Sequence, residues 1–173
     1  DVYKRQLILN SKDLVFSHGR LRYRGQYVAA TCGWGGVTDN KREGDGATPR
    51  GAHSIVGLYY RPDRISCPTP WAKPILPGDL WCDDPQHQAY NSLCRAPLVA
   101  SCEALRRSDP QYDLIIITDW NWPEAVPGLG SAIFMHQWRR PGAPTAGCIA
   151  MARQHLVWFC LLYTSPSPRD IGP

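Results

Sequence analysis

The sequence predicts one mainly β domain, a β-sandwich or partly closed barrel with long loops and a short C-terminal helix. Three observations lead to this fold class. The 15 glycines and 16 prolines among 173 residues are typical of many short elements joined by turns. Most apolar residues occur in runs that are too short for a helix. A helical spacing of apolar residues is found near the end of the chain.

Composition limits the classes of function. A length of 173 residues suits one domain with a single core. The net charge is +4, but no run of basic residues is longer than two, so we expect no nucleic-acid partner. No apolar run reaches the roughly 18 residues that cross a membrane. We therefore expect no membrane span, and we predict a monomer.

The first half of the chain predicts a series of short strands. Residues 7–10 and 14–16 are short apolar runs, and the alternation at 21–30 predicts a hairpin around Gly25. A polar, turn-rich stretch precedes residues 54–60, which predict another strand.

The second half predicts a long connection, two buried strands and the helix. Residues 61–97 are crowded with Pro, Trp, Asp and Asn and have little periodicity, which predicts an irregular loop. Loops of this length are often functional. The continuous apolar run at 112–118 predicts a buried central strand, and 131–138 predicts a second one. Apolar residues at helical spacing predict a helix over 149–159, with one face packed inward.

Both ends of the chain differ from the sequence between them. The strings DVYKRQ (1–6) and CLLYTSPSPRD (160–170) resemble translated sequencing-adaptor DNA. The alternative is a frayed N-terminus and a disordered Ser/Pro-rich tail. We predict a non-native extension at 1–6, a domain at 7–159 that is truncated at its C-terminus, and a non-native or disordered tail at 160–173. The first residue is not Met, so a signal peptide is not observable in this chain.

The strongest catalytic pattern involves His136 and Cys148. A nucleophilic thiol needs a base, a means of favouring thiolate, and N–H donors for the oxyanion. Gly147 lets the backbone turn tightly before Cys148, and a helix directly after it would favour thiolate. His136 ends a predicted strand 12 residues earlier, so the intervening loop can return the thiol to the imidazole. The alternative is a buried inert cysteine and a core histidine.

Three blocks of sequence carry a family resemblance. GSAIFMHQWRRPGAPTAGCIAM (130–151) resembles the active-site region of the L,D-transpeptidase catalytic domain, in which a strand ends in His and a Ser/Thr-His-Gly-Cys turn follows. KREGDGATPRG (41–51) is similar to the family's upstream Thr-Pro-x-Gly element. WCDDPQHQAYN (81–91) is similar to a run in one bacterial branch. The blocks also keep the order that they have in the family.

The resemblance implies a mechanism. Family members cleave the bond between the third residue of a peptidoglycan stem peptide and the terminal D-alanine through a cysteine thioester. An amine of another stem then gives a 3→3 cross-link, whereas water gives an L,D-carboxypeptidase. By position, Cys148 is the nucleophile, His136 is the base and later the acid, and the N–H groups of Gly147 and Cys148 are the oxyanion donors. The resemblance also implies no metal or organic cofactor, stem peptides as partners, and a periplasmic or other extracytoplasmic location.

Two positions depart from the family pattern. Ala146 stands where the family usually has His, so the motif reads Thr-Ala-Gly-Cys, and Ala150 stands where relatives often have Arg. An arginine pairs well with a stem carboxylate. Arg139 or Arg140 is therefore a candidate replacement, and a solvated loop charge is the alternative.

Two polar residues near the motif complete the candidate site. Thr145 matches the Ser/Thr of the motif and is expected to shape the turn, and Ser131, at the start of a predicted strand, is a candidate for substrate contact. Residues 41–45 are expected to form a solvated charged loop, and the resemblance implies that this loop flanks the cleft. The alternative function is a non-catalytic peptidoglycan-binding or structural module of the same fold.

Cysteine usage leaves the redox state open. With Cys148 as nucleophile and Cys160 in the predicted tail, five of the seven cysteines remain, and five cannot all pair. An oxidising envelope location permits disulfides. The sequence does not decide whether Cys94 and Cys102 are bridged, and we predict no obligatory disulfide framework.

Overall fold

A computed structural model describes residues 13–163. The predicted extension at 1–6, the predicted strand at 7–10 and residues 164–173 of the predicted tail lie outside these described residues. No helix between residues 13 and 163 is both long enough and apolar enough to cross a membrane.

The described residues form short strands, one 3-10 turn and one α-helix. In chain order they are β1 Val15–Ser17, β2 Arg20–Tyr23, β3 Gln26–Thr31, β4 Val37–Thr38, β5 Thr48–Pro49, β6 Ile55–Tyr60, β7 Lys73–Pro74, β8 Asp79–Cys82, β9 Leu93–Arg95, β10 Cys102–Ala104, the 3-10 turn Pro110–Tyr112, β11 Leu114–Thr118, β12 Phe134–Gln137, β13 Ile149–Met151 and α1 Arg153–Leu162. This composition confirms the predicted mainly β fold class with its short C-terminal helix.

Among the described residues, eight strands form the main sheet, in the order β1-β2-β3-β13-β12-β11-β6-β7. The predicted hairpin is present as β2 and β3, and it turns at Arg24 and Gly25, which have φ of 47° and 77°. β11 and β12 are the two predicted buried strands and pair antiparallel at the sheet centre. β13 lies beside β12 and is parallel to it.

The predicted irregular connection at 61–97 contains ordered strands, so that prediction was wrong in part. β8 pairs antiparallel with β9 and β10 to form a small sheet in the order β10-β8-β9. These strands have three or four residues each, too few for an alternating pattern to stand out between turns. The small sheet packs over the main one, where the rings of Trp81 and Phe134 meet edge-on with centroids 4.9 Å apart.

The predicted helix does not follow Cys148 directly. Ile149–Met151 is a strand between β12 and β3, and α1 begins at Arg153 after Ala152, whose ψ of 142° is extended. The prediction of a helix from residue 149 was therefore wrong. A strand that is paired on both sides and covered on both faces is apolar at every position. A short run of such apolar residues also fits a helical spacing, so the sequence did not distinguish the two structures.

The main sheet has a hydrophobic core on each face. Leu114 and Ile116 of β11 pack with α1, which includes the buried Cys160, so the predicted boundary at 159 falls inside this helix. Ile115 and Ile117 point the other way, towards the small sheet. The face that bears Ile115 and Ile117 also carries the candidate site.

Candidate active site

His136 and Cys148 lie on the same face of the main sheet. His136 in β12 is opposite Ala150 in β13. Cys148 precedes Ala150 by two residues, and side chains two residues apart in an extended chain point to the same face. Both side chains line a cavity of about 810 Å³. The fold thus brings together the residues predicted as nucleophile and base.

The Cys148 thiol is buried, with 8% of the residue exposed. Its Sγ donates to the Ala132 carbonyl at 3.1 Å and accepts from the Phe134 N–H at 3.4 Å. Burial and, after it, the Glu103 carboxylate raise the pKa of the thiol to about 12, against the opposing effect of the Phe134 N–H. The resting residue is a neutral thiol. No helix begins at this position, so the expected helix-dipole support for thiolate is lacking.

His136 is a neutral imidazole with a defined tautomer. Its Nδ1 lies 2.7 Å from the Gln137 carbonyl. A carbonyl only accepts, so Nδ1 carries the proton and the Nε2 lone pair is free to take another. Burial lowers the pKa of the imidazole to about 4. In the described part of the chain the Cys148 thiol donates to Ala132 and not to His136, so proton transfer requires the thiol to turn towards the ring.

Tyr112 connects His136 to an acid. Its ring lies edge-on against the His136 ring, with centroids 5.1 Å apart. Its hydroxyl donates to Glu103 Oε1 at 2.6 Å, and the Arg107 guanidinium lies 5.1 Å from its ring centre. Arg107 in turn donates to Asp109 at 2.6 Å. Burial raises the pKa of both Tyr112 and Glu103.

These cavity residues were missed by sequence reasoning. Tyr112 was predicted only as the start of a buried strand, and it ends the 3-10 turn before that strand. Glu103 and Arg107 belong to no motif block. The one available signal was a group of opposite charges at 103–109, shortly before an apolar strand.

Thr145 and Gly147 shape the turn that presents the thiol. Thr145 Oγ1 donates to the Cys148 carbonyl at 2.6 Å and accepts the Gly147 N–H at 3.1 Å. Thr48 Oγ1 donates to the Gly147 carbonyl at 2.7 Å, which ties the turn to the Thr-Pro element. Gly147 has φ of 148°, and a Cβ there would lie 3.0 Å from the Ala47 carbonyl oxygen. The close approach therefore requires glycine.

The remaining predicted residues separate into two groups. Ser131 and Arg139 line the cavity, and so does Ala146, which is exposed. Arg139 and Arg140 are both exposed on the same loop, and Arg140 is not among the lining residues. Ala150 is fully buried beneath the site. Of the two candidate arginines, Arg139 is the one that lines the cavity.

The expectation that segment 41–45 is a solvated charged loop was wrong for Lys41, whereas Arg42 is exposed as expected. Lys41 is buried, and its Nζ donates to Asp45 Oδ1 at 2.5 Å and to the Arg42 carbonyl at 2.6 Å. A buried ammonium is tolerated when it is paired and hydrogen-bonded in this way. Glu43 accepts from the Tyr90 hydroxyl at 2.5 Å and lines the cavity, so this segment does flank the site.

A sequence model of the L,D-transpeptidase catalytic domain, YkuD, matches residues 5–161. The chain belongs to this family. Searches of curated proteins and of solved structures return no match. The L,D-transpeptidase family acts on cell-wall peptidoglycan.

Proposed function

We propose that this L,D-transpeptidase-family domain catalyses cysteine-dependent acyl transfer on peptidoglycan stem peptides in the extracytoplasmic envelope. Cys148 is the nucleophile and His136 the base. The observation that carries the proposal is the convergence of these two residues in one cavity, on one sheet face, although 12 residues separate them in sequence. The Nδ1–Gln137 contact leaves Nε2 free for the proton.

Proton transfer is expected to accompany the attack. The thiol has a pKa of about 12 and the imidazole one of about 4, so a thiolate–imidazolium pair is disfavoured in the resting cavity. As the bond forms between Sγ and the carbonyl carbon, the negative charge moves to the carbonyl oxygen and the thiol proton moves to Nε2. The same proton then goes to the departing D-alanine amine, which leaves a thioester on Cys148.

The oxyanion donors are the N–H groups of Gly147 and Cys148. In the resting structure the Gly147 N–H donates to Thr145 Oγ1 at 3.1 Å, so the oxyanion competes with that hydroxyl. Thr145 keeps its bond to the Cys148 carbonyl and so holds the turn while the amide changes partner. N–H donors aimed at the oxyanion are usually a large part of the rate gain in acyl transfer.

The thioester has two outcomes. An amine acceptor gives a cross-link and water gives a carboxypeptidase, and both share the acyl-enzyme. One observation favours a different class, a non-catalytic peptidoglycan-binding module. The resting thiol is neutral and donates to Ala132 instead of His136, as an inert core cysteine would.

An acylation assay distinguishes these classes. The full chain is incubated with a tetrapeptide stem or a carbapenem, and intact mass is measured. We expect one adduct, lost in Cys148→Ser, kept in the matched control Cys67→Ser, whose thiol is exposed and outside the cavity, and formed at least about 100-fold more slowly in His136→Gln. A folded protein without an adduct contradicts the proposal. Wall binding that survives Cys148→Ser, together with no adduct in the parent protein, supports the module.

A further inference from the structure

Three cysteines away from Cys148 converge on one face of the small sheet. Cys82 in β8 is opposite Cys102 in β10. Cys94 in β9 is opposite Leu80, which precedes Cys82 by two residues. The three side chains therefore share a face. Cys102 also lines the active-site cavity.

The register of the small sheet selects one pair for a covalent bond. The Asp83 N–H donates to the Ser101 carbonyl, which makes the next residues inward, Cys82 and Cys102, a non-hydrogen-bonded pair. Cα atoms in such pairs are about 4.5 Å apart, inside the range of about 4.4–6.8 Å that disulfides span.

Cys94 is less well placed to bond to Cys102. The strands of these two residues lie on opposite sides of β8, at about twice the interstrand spacing of about 4.8 Å. That separation exceeds the roughly 7 Å beyond which two cysteines bridge only if the backbone moves. Within residues 13–163 no group of three or more His, Cys, Asp or Glu side chains is placed to hold a metal ion, so a zinc site is not favoured.

We propose that Cys82 and Cys102 form a disulfide by exchange with a small-molecule disulfide, with Cys94 as the thiol that stays reduced. The exchange starts at Cys102, because this residue is reached from the cavity whereas Cys82 is fully buried. The Cys102 thiolate displaces one thiol from the reagent and forms a mixed disulfide. Cys82 then attacks the Cys102 sulfur and releases the second thiol. Two protein thiols are oxidised, one reagent disulfide is reduced, and the two protons end on the released thiols.

The Cys82–Cys102 disulfide is expected to be a stable structural bond and not a redox-active one. Burial raises the pKa of Cys102 to about 12, so oxidation is slow, and a reduced form without thiolate stabilisation leaves the disulfide hard to reduce. The bond would hold β10 against β8 and fix the backbone that carries Glu103 into the cavity. A family that acts on peptidoglycan works outside the cytoplasm, where such bonds persist.

Peptide mapping tests the pairing directly. The folded full chain is incubated with glutathione disulfide, and free thiols are alkylated before digestion. Cleavage before Asp residues and after Arg residues places Cys82 on peptide 79–82, Cys94 on 84–95 and Cys102 on 96–106. We expect 79–82 linked to 96–106, with 84–95 alkylated. A link between 84–95 and 96–106, or alkylation of all three peptides, overturns the proposal.

Matched variants test the same pair by stability. Oxidation should raise the Tm of the parent protein and of Cys94→Ser by roughly 6–12 °C, because it closes a loop of about 20 residues in the unfolded chain. It should leave the Tm of Cys102→Ser unchanged. An equal rise in Cys102→Ser contradicts the proposal. If Cys102→Ser does not fold, the peptide map of the parent chain still decides. None of these results depends on acylation at Cys148.

Discussion

The ring of Tyr112 meets the ring of His136 edge-on, with centroids 5.1 Å apart and planes at 73°. Because the Tyr112 hydroxyl also donates to Glu103, one buried side chain joins the proposed base to an acid of the same cavity. Tyr112 is therefore a positioning residue for His136, through its ring, and a partner of Glu103, through its hydroxyl. The hydroxyl contact can be removed while the ring contact is kept.

Tyr112→Ala should cost more than Tyr112→Phe in both stability and acylation. The alanine variant loses the ring against His136 and leaves a cavity, which should lower the free energy of unfolding by about 3–5 kcal/mol. The phenylalanine variant loses one hydrogen bond, which should lower it by about 1–3 kcal/mol. The measurements are urea unfolding and the pH profile of the acylation rate. If the two variants acylate equally fast when both are folded, the ring does not position His136.

Glu103→Gln should lower the pKa of the Cys148 thiol. The Glu103 carboxylate is the second cause of that raised pKa, after burial, so its neutral amide makes thiolate easier to form. The alkylation rate of Cys148, followed by mass spectrometry against pH, should therefore rise at lower pH than in the parent protein. Asp39→Asn is the matched control, because it changes the net charge equally at an exposed ion pair with Arg50. An equal shift in the control would contradict this reasoning.

The depressed pKa of His136 should make the fold less stable in acid. The pKa is about 4 in the folded protein and about 6.5 in the unfolded chain, so the unfolded chain binds the proton first as pH falls. The stabilisation is complete above pH 6.5. It falls by up to about 1.4 kcal/mol per pH unit and has lost about 3 kcal/mol near pH 4.

Urea unfolding between pH 7 and 4 checks the acid effect. His136→Gln has no titrating group at this position, whereas the other histidines are present in both proteins and cancel in the difference. The parent protein should therefore lose stability faster than the variant across this window. Parallel curves would show that His136 is not buried as a neutral group.

Local patterns were sufficient for part of the fold. The hairpin of β2 and β3 has its positive-φ turn at Arg24 and Gly25, and β11 is a continuous apolar run, so both were visible in sequence. The strand β13 was not visible in the sequence, because a run of three apolar residues before a helix fits both the strand and the helix periodicity. Only its pairing with β12 and β3 decides the strand, and that pairing is a long-range contact.

The candidate site likewise has residues that local sequence patterns predicted and residues that they did not. Cys148 and His136 lie in one contiguous block, so their motif and spacing were sufficient to propose them as a pair that the fold places in one cavity. Tyr112 and Glu103 reach the cavity from the chain before β11 and from the small sheet, and no periodicity encodes that meeting. The burial of Lys41 was hidden for a related reason, since its partner Asp45 lies in a segment whose composition is that of a solvent-exposed loop.

Arg139→Ala and Arg140→Ala should differ although the residues are adjacent. Arg139 lines the cavity and is placed to pair with a stem-peptide carboxylate, whereas Arg140 does not line it. Losing a charge-assisted hydrogen bond to substrate costs about 1.5–3 kcal/mol, which corresponds to a rise in KM of roughly 10- to 100-fold for Arg139→Ala. Arg140→Ala should leave KM within about twofold of the parent value. Equal effects would indicate general charge attraction instead of a specific contact.

Gly147→Ala should displace the thiol, whereas Gly142→Ala should not. Both glycines have positive φ, at 148° and 77°, so an alanine strains the backbone at either site by about 1–3 kcal/mol. A Cβ at Gly142 meets nothing within 4 Å, whereas one at Gly147 would lie 3.0 Å from the Ala47 carbonyl oxygen and 3.1 Å from a methyl group of Ile133.

The Gly147 contacts are with backbone and core, which cannot move away without shifting the turn. Gly147→Ala should therefore add about 1–3 kcal/mol of overpacking to the backbone strain and slow acylation at least about 10-fold, since the Cys148 Sγ moves relative to His136. Gly142→Ala should be destabilised by the backbone strain alone and should acylate at the parent rate. Thermal unfolding and the acylation time course of the two variants measure both effects. Equal acylation would mean that the turn at Gly147 does not set the position of the thiol.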